Sequence, residues 1–433
     1  MADLPAILGG PPVRRNQSWP DWPQHGEAEQ ELLASTLESG RWSNPRGDLA
    51  ADFASEFAAF QGARHGLPLA NGSCSLEVAL AACGIGDGDE VLVPGLTFVT
   101  TAISVLAVNA IPVFVDVDPD SLCLDVTAAE AAVTERTRAV IPVHLAGRPC
   151  DLDALTDLCA RHGLAMIEDC AHAHGSRWRE RGVGTFGSFG SFSFQEGKLI
   201  TAGEGGAVIT DDEDLQARAW SYANCGQVEG GHRYDHVNYG TNLRMTEWQG
   251  AVLQAQLRRL PEQNQVREER AGLLDAELTK IPGLRPQSGD ARISGRGRYG
   301  YVVHYDPTEF SGLPVGGLVA ALRHEGVLAG ESYPSLNTLR VFREARFGPR
   351  FRAGAPLPDY ASVELPNAEH AAARTIWLDH RMLLAEPDDV LDVARALARI
   401  RERSRAVKLR TSKVVTLSGR MFRSGFRRRT MPR

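Results

Sequence analysis

The chain has 433 residues, 43% of them hydrophobic and 23% charged, with a formal net charge of -7. That is enough for a sizeable core and two domains, one large and one small, and the acidity excludes a body that binds nucleic acid or an anionic membrane. The average hides one asymmetry: residues 401–433 carry twelve Lys and Arg against one acid, Glu402.

No apolar run spans a bilayer, and the first residues show no apolar core followed by a cleavage site, so a cytoplasmic protein is expected. The seven cysteines are odd in number and contain no C-x-x-C pair, which predicts a free, reduced set. Residues 1–45 read as an arm, rich in Trp and Pro (Trp19, Pro20, Trp22, Pro23) and then helical, with Leu32, Leu33 and Leu37 on one side before Gly40. Such a stripe packs on another surface, a second subunit being one choice.

Residues 46–275 are expected to form the large domain. Helical stretches such as Thr97 to Val108 and Asp151 to Arg161 alternate with short aliphatic runs, Val91-Leu92-Val93, Val113-Phe114-Val115, Ala139-Val140-Ile141 and Ala165-Met166-Ile167. That alternation predicts βαβ units and an α/β fold with a mainly parallel sheet. From Ser188 to Phe194, Ser and Phe alternate as in a strand, and Gly190 breaks the register as a bulge does. A helix is expected from Met245, interrupted at Leu260-Pro261 and resumed from Glu262 to Leu278. Residues 276–400 read as a smaller α+β domain, with a strand at Tyr299 to Tyr305 and helices at Gly316 to His324 and Pro387 to Ile400. Residues 401–433 remain as a basic tail, either solvated or docked on an acidic partner.

Three stretches carry chemistry. Lys198 follows the Ser/Phe strand and precedes Gly203-Glu204-Gly205-Gly206, which puts an amine on a loop at the carboxyl edge of the sheet, where open α/β sheets bind ligands. A loop lysine is also an ordinary solvated charge. Asp169 ends the run Met166-Ile167-Glu168-Asp169, where an acid is either a helix cap or a partner for a cationic group. Pyridoxal phosphate chemistry requires both residue types, an amine to hold the aldehyde and an acid to keep the ring nitrogen protonated. Asn71-Gly72-Ser73 opens a helix, a turn that also suits a phosphate. Ser193 adds a hydroxyl, and Phe98 is either core or a platform for a flat ring. His172-Ala173-His174 has no neighbours at metal-ligand spacing, so no metal is expected.

The set Asn71-Gly72-Ser73, Pro94 to Phe98, Glu168 to His172 and Ser193 to Lys198 with Gly203 to Gly206 resembles the DegT/StrS-type sugar aminotransferases, from roughly Trp19 to Ile400. The resemblance implies an aspartate-aminotransferase-like fold (fold type I of the pyridoxal phosphate enzymes) and a homodimer with shared sites. It implies Lys198 as the Schiff-base lysine, Asp169 as partner of the ring nitrogen, Phe98 stacked on the ring, and Gly72, Ser73 and Ser193 on the phosphate. Asn242 would reach the phosphate from the other subunit, and His172 and Gln195 would line cofactor and substrate. The Phe-Gln-x-Gly-Lys form is closest to members that aminate keto-cyclitols or make aminohydroxybenzoate. The implied reaction is ping-pong transamination, with L-glutamine as donor and a cyclic ketone as acceptor. Amination of a dehydroshikimate-type acid with loss of water, and a non-catalytic regulatory or binding role on the same fold, are the alternatives. Tyr333-Pro334 and Trp377 to Arg381 fall where acceptor choice varies within the family.

Overall fold

Short aliphatic runs form strands here because both faces are covered; in the computed structural model, which describes residues 4–15, 18–44, 46–232, 234–348, 351–352 and 354–412, Val91, Leu92 and Val93 are wholly buried. In chain order, α1 (Glu27–Ser39) and α2 (Leu49–Gln61) lead into β1 (His65–Leu69), α3 (Gly72–Ala82), β2 (Glu90–Pro94), α4 (Thr100–Ala107) and β3 (Ile111–Val115). Then come α5 (Val126–Ala131), β4 (Thr137–Val140), α6 (Leu152–His162), β5 (Ala165–Asp169), β6 (Arg177–Trp178) and β7 (Arg181–Gly182). β8 (Phe189–Ser193), β9 (Gly206–Thr210), α7 (Glu213–Ala223) and α8 (Glu247–Leu278) complete this half. The remainder holds β10 (Leu284–Pro286), β11 (Ile293–Gly295), β12 (Gly300–Tyr305), α9 (Val315–His324) and β13 (Ala329–Glu331), followed by α10 (Arg340–Arg343), α11 (Pro366–Arg374), β14 (Thr375–Asp379) and α12 (Pro387–Glu402).

The main sheet has seven strands in the order β1-β9-β8-β5-β4-β2-β3. The five from β8 to β3 run parallel, while β9 is antiparallel to both β8 and β1. This is the mixed, mainly parallel sheet of the expected α/β class. Its register brings three segment ends together: Asp169 lies beside Ser191, and Ser193 and Leu69 both pair with Gly206. A second sheet, β10-β12-β14-β13, carries its own apolar core with α9, α12 and the end of α8.

Packing crosses the expected segment limits. Ile7 and Trp19 of the arm belong to the second core, whereas Leu336, Phe342, Tyr360, Leu365 and Ala368 pack into the first. Val407, within the expected tail, is also buried in the second core. The tail from residue 413 onward lies outside the described residues. All seven cysteines are free thiols. Among the described residues no helix is long and apolar enough to cross a membrane.

Two local expectations are corrected. Gly190 is no bulge: it pairs in regular register with both Glu168 and Ile209. A side chain is excluded there by a close approach, since a Cβ would lie 2.4 Å from the Gly184 Cα. Helix α8 does not stop at Leu260-Pro261 but continues through Pro261 for 32 residues. An interior proline costs about 3 kcal/mol. Burial on both sides of it offsets that cost, with Leu253, Leu257 and Leu260 in the first core and Ala271, Leu274 and Leu278 in the second.

Candidate active site

The site lies at the carboxyl edge of the parallel strands. Asp169, the last residue of β5, is buried, with Oδ1 accepting from the Ala171 N–H (3.2 Å) and Oδ2 from the Thr101 hydroxyl (2.9 Å). Burial raises its carboxyl above the ordinary value; these two donors and the charge of Lys198 work against that rise without cancelling it. It is therefore no helix cap but a carboxylate held in a low-dielectric wall.

Lys198 sits on the turn after β8, its backbone N–H bonded to the Gln195 carbonyl (2.8 Å). Its ammonium stands 4.3 Å from the centroid of the Tyr299 ring. The residue keeps partial exposure, as at the floor of a cleft. Loss of surrounding water lowers its pKa to about 8, with Asp169 pulling the other way.

The donor-rich end of α3 packs on the strand that leads into this turn. Asn71 caps the helix by accepting from the Cys74 N–H (2.9 Å). Gly72 packs so tightly on Ser193 that a Cβ would come within 2.5 Å of the Ser193 Cβ. Gly72, Ser73 and Ser193 thus form one corner, at which Ser75 and Ser191 share a hydrogen bond of 2.7 Å beneath the surface. A helix N-terminus with free N–H groups and hydroxyls suits an anion.

Aromatic rings gather beside the lysine. His172 stacks on Tyr299, with centroids 4.0 Å apart and planes at 12°, and faces Tyr333 in nearly parallel planes at 6.2 Å. Its Nδ1 accepts from the Ala146 N–H (3.4 Å), and Nε2 lies 3.4 Å from the Tyr333 hydroxyl. Burial, followed by the charge of Lys198, drives its pKa well below the usual range, so the ring is neutral. Trp377 meets the edges of Tyr333 and His172 at 5.4 and 6.0 Å. Phe98, at 55% exposure, leaves its ring open 6.0 Å from Tyr333.

The remaining expected residues make other contacts within this chain. Gln195 is exposed and uses Oε1 to accept from the Gly197 N–H (2.9 Å), so it braces the lysine turn. Asn242 is exposed; it bridges to Asn224, and Oδ1 accepts from the Arg244 N–H (3.4 Å). His174 is a core histidine among Phe57, Phe192 and Phe194, its Nε2 bonded to the Ser193 carbonyl (2.9 Å) and its pKa lowered by burial to about 3. Buried His144, Glu168 and Cys170 lie close enough for a metal. Glu168 is instead filled by the N–H groups of Gly184, Phe186 and Gly187 (2.7, 2.7 and 3.0 Å) and by His144 Nε2 (3.0 Å).

Sequence reasoning missed Thr101 and Tyr299. Thr101 carried a faint signal, a buried hydroxyl in an apolar helix, whereas Tyr299 comes from the lead-in to another sheet. It also missed a clasp on the lysine turn. Trp22 Nε1 donates to the Glu196 carbonyl (3.0 Å) and its ring meets His380 edge-on at 4.6 Å. Buried Arg267 donates to His380 Nδ1 (3.4 Å), which leaves the Nε2 proton for the Gly197 carbonyl (3.2 Å). Within one chain, the arm therefore packs on the site itself.

A buried acid and a lysine of near-neutral pKa beside an anion corner are tools for amine chemistry on a phosphorylated carbonyl compound. Residues 23–398 match the DegT/DnrJ/EryC1/StrS aminotransferase family. The chain belongs to that family. This aminotransferase is 40% identical, over 92% of its length and 97% of the relative's, to L-glutamine:2-deoxy-scyllo-inosose aminotransferase of Micromonospora echinospora. It is 39% identical to L-glutamine:scyllo-inosose aminotransferase of Streptomyces griseus, over 93% of this chain and 98% of that one. Among solved structures, 3-amino-5-hydroxybenzoic acid synthase superposes with a TM-score of 0.83 at 37% identity, covering 91% of this chain and all of that one.

Proposed function

We propose that this aminotransferase uses pyridoxal phosphate to move an amino group from L-glutamine to the ketone of a polyhydroxylated six-membered carbocycle. The observation that carries the reading is the convergence of Lys198, at a pKa of about 8, with buried Asp169 at neighbouring strand ends. The residues fit the coenzyme. Lys198 would hold its aldehyde, Asp169 its ring nitrogen, and the Gly72, Ser73 and Ser193 corner its phosphate, with the open face of Phe98 against the ring. When bound, the coenzyme supplies the aldehyde that carries the amino group and the ring that takes up electrons from the breaking C–H bond.

Everything else falls to the chain. Lys198 is neutral in part near pH 8 and so can take the proton from the donor's α-carbon and later give it back. Asp169 would keep a positive charge on the coenzyme's ring nitrogen, and the neutral His172 adds no charge to oppose it. Asn242 is exposed, as are Val237 (56%) and Tyr239 (82%). These support a homodimer in which Asn242 serves the phosphate corner of the second copy.

The acceptor and donor arms of this reading are tested by incubating pure protein with glutamine and a panel of keto-cyclitols, keto-sugars and dehydroshikimate-type acids, with products read by mass. An aminocyclitol is expected; no amination of any cyclic ketone would refute it. A product lighter by one water would favour the second reading, amination with aromatisation, which rests on the likeness to 3-amino-5-hydroxybenzoic acid synthase. Gly72→Ala is expected to weaken coenzyme binding about tenfold, because the added methyl forces Ser193 out of the corner. Titration of the visible absorbance checks it, and unchanged affinity removes Gly72 from the phosphate site.

A further inference from the structure

Tyr299 has no part in the proposed chemistry, yet its ring is the group against which the reactive amine lies. Three contacts fix that ring. Its backbone N–H bonds to the Gly297 carbonyl (2.9 Å), His172 stacks on it at 4.0 Å, and His380 lies nearly parallel at 6.1 Å. The neutral state of His172 matters, because a charged imidazolium at that distance would compete with the lysine for the same π electrons. Burial likewise raises the Tyr299 phenol above its ordinary value, so it is uncharged. An ammonium 4.3 Å from such a centroid is within the range at which the ring quadrupole attracts a cation.

We propose that Tyr299 is a positioning residue for the lysine: its ring is the berth that holds the Lys198 ammonium whenever that amine is free of the coenzyme. The inference rests on the proposed function and deepens it. A transaminase lysine is released once in each half-reaction, and a released lysine has four rotatable bonds and about 2 kcal/mol of rotamer entropy to spread over. Tyr299 confines it to one place in the cleft. The berth also favours the charged form, against the desolvation that favours the neutral one. The charged and titratable groups facing the amine are Asp169 from β5, His172 and His174 from the loop after it, and Tyr299 itself. Of these, Asp169 supports the cation and the two neutral histidines are silent at neutral pH.

The test replaces Tyr299 in the full-length protein with phenylalanine and then with mono-, di- and trifluorophenylalanine, which keep ring size while draining the π face. Competitive labelling of Lys198 by trace acetic anhydride across pH 6–11, read by peptide mass, reports the amine's titration without any coenzyme. Tyr299→Phe is expected to leave the midpoint in place. The fluorinated series is expected to lower it stepwise, by about half to one pH unit in all, as a cation–π contact of this kind dictates. A midpoint that is flat across the series overturns the berth, as does an upward drift. The same samples are treated with pyridoxal phosphate and borohydride. Failure to trap the coenzyme on Lys198 in the unaltered protein would sink the proposed function instead, whatever the labelling profile.

Discussion

Lys198→Ala is expected to reduce transamination at least about 10⁴-fold, the combined loss of the group that holds the coenzyme and the group that moves the proton. Asp169, His172 and Tyr299 lie beside the position, and none of the three is a nucleophile matched to an aldehyde. The fold should survive. The lysine is a desolvated cation whose removal relieves a cost, and the turn it sits on is held by the Gln195 carbonyl, Trp22 and His380. Turnover with glutamine and a keto-cyclitol, alongside a melting curve, checks both halves. Substantial turnover by a well-folded variant would show that the amine is not the reacting group.

Asp169→Asn is expected to separate activity from stability. It removes the charge at nearly constant shape. The amide oxygen can accept from the Ala171 N–H, and its N–H₂ can donate to the Thr101 hydroxyl, which turns its own proton toward Thr97 Oγ1 at 2.9 Å. Without a carboxylate to hold the ring nitrogen charged, the rate should fall about 10²–10³-fold, the cost of removing one preorganised electrostatic partner. Stability should move the other way. Burial raises the Asp169 carboxyl, so the folded chain binds that proton more tightly than the unfolded chain does. This residue's contribution to stability therefore falls as pH climbs from the ordinary value of 3.8 through the raised one, and at pH 7.5 the carboxylate is a net cost. The coenzyme-free variant should melt higher than the unaltered protein at pH 7.5, with the gap closing below pH 4. A lower melting temperature at pH 7.5 would mean that Asp169 is held chiefly by structural bonds.

Asp169 was legible because it ends a strand and Lys198 because it closely follows one, and strands in a doubly covered sheet show themselves as apolar runs such as Met166-Ile167. The corner at Gly72 was legible for the same reason, a helix start after β1. Gly190 was misread because local pattern cannot tell a bulge from a place where another backbone, that of Gly184, comes close. Pro261 was misread because the burial that carries α8 past it comes from two cores, neither of them local. Tyr299 was silent for a deeper reason. Its significance is a distance to Lys198 set by how two sheets sit together, and no spacing along the chain encodes that.

The clasp on the lysine turn distributes mutational freedom unevenly. Both acceptors, at Glu196 and Gly197, are main-chain carbonyls, which every amino acid carries. Both donors are single ring nitrogens, on Trp22 and His380, that few other side chains present at that reach. Position 196 can therefore drift through many identities with the grip intact, while position 22, remote in sequence, has little such latitude.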